Sequence, residues 1–340
     1  SWYFYRYTDA RNDQAPFDRE KVSYWFGDRG IDQYIGGIEH AILHLIYSRF
    51  WTKFMRDMGL VKNDEPVERL FSQGMIIKGG AKMSKSLGNI VSPDEMIARY
   101  GADSARMYTL FATSPDRELD WLDEGVEGIR RTLARIYRFV ARNANVETQL
   151  AASQRAERAT LPATSLQPDA RKIQRKLHQT IKRVSDDFKG RWHFNTSIAA
   201  IMELVNELYA VEECVARAPS PADVVPAQLW FEVQRDLVIL LAPFAPHLAF
   251  ELWEMLGEKG SLLRTPWPKY DPVLAKEEEI AIPVQVNGKL RGLILVPADS
   301  SESVIRERAL SAEKIKTAIA GKQIVKVIVV PGKLVNIVVR

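Results

Sequence analysis

Lys82 and Lys85 stand three residues apart within Met75–Asn89, which reads Met-Ile-Ile-Lys-Gly-Gly-Ala-Lys-Met-Ser-Lys-Ser-Leu-Gly-Asn. Gly79, Gly80 and Gly88 flank them, and glycine's backbone freedom predicts a mobile loop there, not the middle of a helix. Two ammonium point charges on such a loop suit a polyphosphate whose negative charge shifts during reaction. A lone K-x-x-K string would also fit a solvated Lys/Ser turn. The second constellation is Tyr34-Ile35-Gly36-Gly37-Ile38-Glu39-His40-Ala41-Ile42-Leu43-His44. Gly36 and Gly37 can bring backbone close to a ligand where a strand turns into a helix. His40 and His44, four apart, would share one helix face, with Glu39 beside them in the first turn. They could bind zinc, sit satisfied in a core, or line a pocket with Tyr34. The zinc reading lacks a third ligand and the internal Glu of a metalloprotease, so no metal is expected.

The elements that must position these residues belong to an ordinary globular composition. The chain has 340 residues, 46% hydrophobic and 26% charged, enough for two or three domains. It contains no apolar run of about 18 residues, so no membrane partner is expected. The opening Ser1-Trp2-Tyr3-Phe4-Tyr5-Arg6-Tyr7 is not a signal peptide, and starting without Met in an aromatic run it reads as the start of a fragment. Cys214 is the single cysteine, which leaves no internal disulfide and fits the reducing cytoplasm. A net charge of +4 is too small to imply a polyanionic partner, which must be argued from local patches.

In chain order, Trp2–Tyr7 has the aromatic density of a buried strand. Ile46, Phe50, Trp51, Phe54 and Met58 recur at helical spacing and read as core. Met75–Ile77 reads as a strand, and Ser92-Pro93-Asp94-Glu95 as a helix start with Ser as N-cap. From about Asp123 the pattern is helical. Arg130, Arg131, Arg135, Arg138 and Arg142 form a basic stripe opposite Ile129, Leu133, Ile136 and Val140; such a stripe is as readily a solvated face as a binding one. Residues 149–168 read as a connecting loop. A second helix places Ile173, Leu177, Ile181, Val184 and Phe188 inside and Lys172, Lys176 and Lys182 outside, and Asn195-Thr196 can cap a third. Ala227–Ala242 and a Pro246-led helix complete a bundle, with His247 read as structural. Beyond it, Ile280–Val286 and Lys289–Val296 around Asn287-Gly288 predict a hairpin with a type I′ turn, followed by one or two helices, a strand over Ile324–Val330 and another over Leu334–Val339. From Val273 onward there are eleven Lys/Arg against seven Asp/Glu.

Lys82-Met83-Ser84-Lys85-Ser86 matches, in order, the KMSKS loop of class I aminoacyl-tRNA synthetases. Tyr34–Leu45 and Ser1-Trp2-Tyr3 closely resemble segments of the leucyl-tRNA synthetases. Tyr100–Arg106, Asp120-Trp121, the bundle and the strings around Lys289, Arg291 and Lys333 resemble later parts of the bacterial type. The resemblance implies a multi-domain α/β + all-α + α+β architecture. Residues 1–122 would be the C-terminal part of a Rossmann-like catalytic domain, 123–272 a helical-bundle anticodon-binding domain, and 273–340 a small α+β tRNA-binding domain. It implies leucine contacts at Tyr3, Tyr34, His40 and His44. ATP contacts would fall at Gly36, Gly37, Glu39, Met75, Ile76, Lys82, Met83, Ser84, Lys85 and Ser86, with Lys82 and Lys85 catalytic. ATP with Mg2+ is substrate, no tightly bound cofactor is implied, and tRNA(Leu) is the partner. Candidate tRNA contacts are Arg135, Arg138, Arg142, Lys176, Lys289, Arg291 and Lys333.

An apolar pocket rimmed by Tyr and His separates similar aliphatic chains only weakly, which is why the family carries an editing domain. The family's other signature, His-x-Gly-His, has no match among His40, His44, His178, His193 and His247. The chain is therefore expected to need an N-terminal half that carries it. A non-catalytic tRNA- or RNA-binding module, a degenerate paralogue, or specificity for valine or isoleucine are the other readings.

Overall fold

The computed structural model describes residues 1–154, 166–217, 224–277 and 279–340. The chain divides into two compact units, one of Ser1–Ile173 with Gln179–Lys269, the other of Gln174–His178 with Tyr270–Arg340.

The first unit opens on a departure from the sequence pattern. Trp2–Tyr7 is not a strand: α1 (Tyr3–Arg6) is one helical turn that runs into a 3-10 turn at Tyr7–Asp9. Alternation would have buried Tyr3, Tyr5 and Tyr7 together, but only Tyr5 is buried, while Tyr3 and Tyr7 are 58% and 72% exposed. Arg6 explains the turn. Its guanidinium donates to the carbonyls of Asp9, Ala10, Asn12 and Pro16 at 2.7–2.9 Å and folds the polar stretch back on the helix. Tyr5 packs with Phe17, Val22, Met55 and Val61, and its hydroxyl bonds Thr52 and accepts from Asn63. Asp18 caps the next helix, α2 (Arg19–Phe26), by accepting from the amides of Glu20 and Lys21.

β1 (Tyr34–Gly37) and β2 (Leu70–Gln73) form a parallel pair, in register from Tyr34↔Leu70 to Gly37↔Gln73, and α3 (His44–Asp57) makes the crossover that parallel pairing requires. β3 (Ile76–Lys78) pairs antiparallel with β4 (Ala81–Lys82) and parallel with β5 (Leu119–Asp120). α4 (Pro93–Tyr100) starts where Ser92-Pro93 predicted, although the Ser92 side chain makes no cap bond. The core reading of α3 fails. Its buried residues are Ser48, Thr52 and Met55, whereas Ile46, Phe50, Phe54 and Met58 are 45–60% exposed. Trp51 alone of the expected set packs on the Tyr5 cluster.

α5 (Ala102–Phe111) ties this region to the helices that follow. Buried Asp103 accepts from the amides of His247 and Leu248, and so caps the Pro-led α10 (Pro246–Met255) through a residue 144 positions away. Arg106 donates to the Pro243 carbonyl just before it. His247 is therefore held by its backbone, and its side chain is exposed.

The bundle comprises α6 (Asp123–Gln154), α7 (Pro168–Asp186), α8 (Phe194–Arg217), α9 (Ala227–Leu241) and α10. Ile129, Leu133, Ile136, Val140, Ile173, Leu177, Ile181, Val184, Ile198, Ile201, Val205 and Leu208 are all buried, each contributing about 1.5–3 kcal/mol. Three boundaries differ from the sequence reading. α6 continues through Gln154, past the start of the expected loop, and 155–165 lie outside the described residues. α7 gives way to a π-turn at Asp187–Arg191, which shifts the helical phase and leaves Phe188 38% exposed among Phe194, Phe244 and Trp267. α8 begins at Phe194, so Asn195-Thr196 is inside it; the Thr196 and Ser197 hydroxyls donate to Asp187 Oδ2 at 2.5 and 2.8 Å.

α9 carries an acidic pair at helical spacing, Glu232 and Asp236, beside Arg235. Burial, then the Asp236 carboxylate, pushes the Glu232 carboxyl from 4.5 up to about 7 against the pull of Arg235. Burial likewise raises Asp236 to about 6, opposed by its pairing with Arg235 at 3.0 Å. A folded pKa above the unfolded one means that the folded state holds extra protons, so the resulting stability is complete below about pH 4 and is lost as pH rises through 7. Thermal unfolding should therefore fall in midpoint from pH 5 to pH 8, and Glu232→Gln should flatten that slope. An equally steep slope in the variant would contradict this assignment.

The second unit is a four-stranded sheet in the order β7-β6-β9-β8, built from β6 (Glu279–Val286), β7 (Lys289–Pro297), β8 (Ile324–Val330) and β9 (Leu334–Val339). α11 (Glu302–Ser311) and α12 (Glu313–Ile319) supply Ile305, Ala309 and Ile315 to its core, against Ile282, Val284, Val335 and Ile337. Asn287 (φ 48°) and Gly288 (φ 76°) make the expected left-handed turn. The Asn287 side chain also bonds the Val339 amide and carbonyl, both at 3.0 Å, and pins the hairpin to the parallel strand β9.

Candidate active site

The signature stretch is built as a hairpin and a capped turn. Gly79 (φ 64°) and Gly80 (φ 73°) link β3 to β4, so Lys78 pairs with Ala81 and Ile77 with Lys82. The hairpin's turn is held at Gly79, whose amide donates to Asp120 Oδ1, and by the Lys78–Asp123 pair at 3.6 Å. Ser84 then starts a 3-10 turn at Lys85–Leu87, its hydroxyl 2.7 Å from that of Ser86, and Gly88 (φ 65°) ends it. Asn89 locks the whole. Its Oδ1 accepts from the Ser84 amide at 2.8 Å, and its Nδ2 lies 3.3–3.4 Å from the carbonyls of Lys78, Ala81 and Lys82. The loop expected from the glycines is thus a hydrogen-bonded turn. Sequence reasoning passed over Asn89, whose only signal was an Asx residue directly after the glycine.

Lys82 and Lys85 are both exposed, and among the described residues no carboxylate pairs with either. Two such ammonium groups, one at the end of β4 and one at the start of the 3-10 turn, are the electrostatic complement of a polyanion. Met83 and Ser84, half-buried, lie between them, and Ser86 is exposed. The carbonyls of Met75 and Ile77 accept from the amides of Leu119, in β5, and of Trp121 just after it, while Ile76 is 40% exposed.

A cavity of about 550 Å³ opens along the β1–β2 pair and the turn that follows β1. Tyr34, Gly36, Gly37, Glu39, His40 and His44 line it with Leu45, Leu70, Ser72 and Gln73. Gly36 has open space where a Cβ would stand, so bare backbone faces the cavity. At Gly37 a Cβ would fall 2.3 Å from the Glu39 carboxylate, which needs that room. The expected continuous helix through both histidines is interrupted: a 3-10 turn covers Ile38–His40, and α3 starts at His44. The rings still meet, His40 edge-on to His44 at 6.1 Å and Tyr34 stacked on His44 at 5.6 Å with its hydroxyl hydrogen-bonded to Nε2. Burial lowers the His44 pKa, and burial raises that of Tyr34. Both shifts favour the neutral forms of Tyr34 and His44. Tyr3 stands apart from it, with its ring on Trp2 and Tyr7.

The basic candidates in the bundle are not alike. Arg135 and Arg142 lie over the Tyr209 ring at 4.8 and 5.4 Å, and Arg142 also pairs with Glu212 at 2.7 Å. Arg138 is exposed, Lys176 half-buried, and Lys289, Arg291 and Lys333 are exposed on the small unit.

Two family models match the chain: tRNA synthetases class I (I, L, M and V) over residues 45–122, and the anticodon-binding domain of tRNA ligase over residues 170–306. The leucine–tRNA ligase of Solibacter usitatus is 51% identical over all of this chain, and that of Symbiobacterium thermophilum 46%. The chain is homologous to leucyl-tRNA synthetases over its whole length. It spans 38% and 41% of those two relatives, about two fifths of their length. A solved relative, the Agrobacterium radiobacter K84 LeuRS in a ternary complex with tRNA and LeuAMS, is 35% identical with a TM-score of 0.75, covering 100% of this chain and 41% of that one. A methionyl-tRNA synthetase of Mycobacterium tuberculosis, 21% identical with a TM-score of 0.51 over 67% of this chain, shares the fold. No helix among the described residues is long and apolar enough to cross a membrane, and no group of three potential metal ligands occurs among them.

Proposed function

We propose that this chain is the phosphate-handling and tRNA-binding part of a cytoplasmic leucine–tRNA ligase, working with an N-terminal half that carries His-x-Gly-His. The leucine carboxylate attacks the α-phosphorus of ATP, supplied with Mg2+, the bond to the β-phosphate oxygen breaks, and pyrophosphate leaves. The ribose hydroxyl at the 3′ end of tRNA(Leu) then attacks the carbonyl of leucyl-adenylate and releases AMP. Neither step needs a covalent enzyme intermediate, so catalysis is positioning plus stabilisation of spreading negative charge. The Lys85 ammonium follows charge onto the leaving pyrophosphate and Lys82 assists. Met75, Ile76, Met83, Ser84 and Ser86 shape the nucleotide side, and Gly36, Gly37 and Glu39 meet the adenosine. Tyr34, His40 and His44 bound the leucine side chain, and Tyr3, which lies outside the cavity, is left out of that set. Arg135, Arg138, Arg142, Lys176, Lys289, Arg291 and Lys333 face tRNA(Leu).

The observation that carries this reading is the pair of ammonium groups, exposed and with no carboxylate partner among the described residues, on the stretch held by Asn89. A tRNA-binding module alone has no use for it, or for the cavity at β1 and β2. The test is ATP–pyrophosphate exchange by the chain mixed with the part of the Solibacter usitatus enzyme outside the aligned region. Exchange stimulated by leucine above valine and isoleucine, and absent from either part alone, is expected. An inert mixture of folded, associated parts would overturn the reading in favour of a degenerate paralogue.

A further inference from the structure

The turn between α7 and α8 holds one residue in a backbone conformation that glycine adopts freely and a bulky side chain does not. Trp192 has φ 52° and ψ 37° where it closes the π-turn Asp187–Arg191, its amide donating to the Asp187 carbonyl at 3.0 Å. A large residue stays in the left-handed region only where its surroundings hold it there. They do so from two sides. Asp187 is buried, and its Oδ2 accepts from the Thr196 and Ser197 hydroxyls, which fixes the turn on the start of α8. The Trp192 ring stacks at 6.3 Å on Phe194, the first residue of α8. Its other contacts are with β2. The Phe71 ring centroid lies 4.9 Å away, and the guanidinium of Arg69, just before the strand, stands 5.7 Å over the indole.

β2 borders the candidate cavity. Leu70 and Ser72 line it and Phe71 between them does not, as alternation along a strand requires. The Arg69 carbonyl accepts from the Tyr34 amide at 2.9 Å, and Tyr34 lines the same cavity. A ring supplied by the bundle therefore braces the strand through a residue that the cavity does not use. We propose that Trp192 is a positioning residue for the ligase reaction: it holds β2, and with it the side of the cavity formed by Tyr34, Ser72 and Gln73, in the geometry that takes the amino acid and the nucleotide. Trp192 itself touches no substrate. The proposal rests on the function argued above and adds that the bundle supports the cavity as well as facing tRNA.

Trp192→Gly removes the ring and relieves the left-handed backbone at once, so the turn keeps its shape. The variant chain is mixed with the part of the Solibacter usitatus enzyme outside the aligned region and assayed by pyrophosphate exchange. KM for leucine and for ATP should each rise about tenfold with kcat near the parent's, since ground state and transition state lose the same support. Trp192→Phe, which keeps a ring against Phe71, should recover most of the loss. Combined with Phe71→Leu, Trp192→Gly should raise KM by less than the product of the two single effects. In the chain alone, the amides of Leu70–Gln73 should exchange with solvent about tenfold faster in Trp192→Gly, while those of Ile198–Leu208 in α8 match the parent. Parental KM values with a lower kcat would reduce Trp192 to a structural role, and parental exchange at Leu70–Gln73 would remove the brace itself. With an active parent mixture either result overturns this role and leaves the function standing. An inert parent mixture overturns the function, and the β2 amides still decide whether Trp192 holds the strand.

Discussion

Lys85→Ala is expected to lower leucine-dependent ATP–pyrophosphate exchange by about 100-fold or more, which is roughly 3 kcal/mol of transition-state stabilisation, the scale of one preorganised donor removed from developing charge. The magnitude follows from how the side chain is held. Lys85 begins a 3-10 turn fixed by Ser84 and Asn89, and no carboxylate among the described residues diverts its charge. An ammonium carried on a fixed turn stabilises charge without first having to reorganise. Because the stabilised charge appears mainly as pyrophosphate departs, kcat should fall while KM for ATP changes little. Lys82 leaves the end of β4, one bonded pair from the hairpin turn, and its replacement should cost less. A parent-like kcat in Lys85→Ala would remove the assignment.

Gly74→Ala should destabilise the fold by about 3–4 kcal/mol, at the upper end of what single substitutions do. Gly74 joins β2, which borders the cavity, to β3, which carries the signature hairpin. A Cβ there would stand 1.9 Å from the Arg117 carbonyl oxygen and 2.2 Å from its carbon. Both are backbone atoms that no rotamer change can move. The same glycine's amide donates to the Pro115 carbonyl at 2.9 Å, so displacing the chain also breaks a half-buried link toward β5. Urea unfolding reads the effect directly, with Gly36→Ala as control because nothing lies within 4 Å of its Cβ position. A Gly74→Ala midpoint equal to that of Gly36→Ala would show that the junction gives way easily.

Much of this was legible in the sequence, and the exceptions have physical causes. Helices of the bundle announced themselves because their apolar residues keep a 3.6-residue period and end up buried, as at Ile129, Ile136, Leu177 and Ile201. Asn287-Gly288 specified its hairpin because only left-handed backbone closes that turn. Periodicity says that a helix has an apolar stripe, but not what covers it, and α3 shows the difference. The aromatic run at Trp2–Tyr7 misled for a related reason: composition favoured a strand, while the four carbonyls gathered by Arg6 imposed a turn. Asp103 capping α10 and Asn89 bonding back to Lys78 are side-chain-to-backbone contacts, which local patterns do not encode. At the candidate site, residue types alone left zinc, core and pocket open for His40 and His44; the family resemblance pointed to a pocket, and Tyr34, Gly36, Gly37, His40 and His44 do line one cavity, whereas Tyr3 lies outside it.

The measurement closest to the central claim is formation of leucyl-tRNA. The chain and the non-aligned part of the Solibacter usitatus enzyme, each folded, would be given ATP, Mg2+, labelled leucine and tRNA(Leu), together and apart. The account predicts label on the tRNA only when both are present, and its loss when the added chain carries Lys85→Ala. Equal charging without this chain, or none from an associated pair, would contradict it.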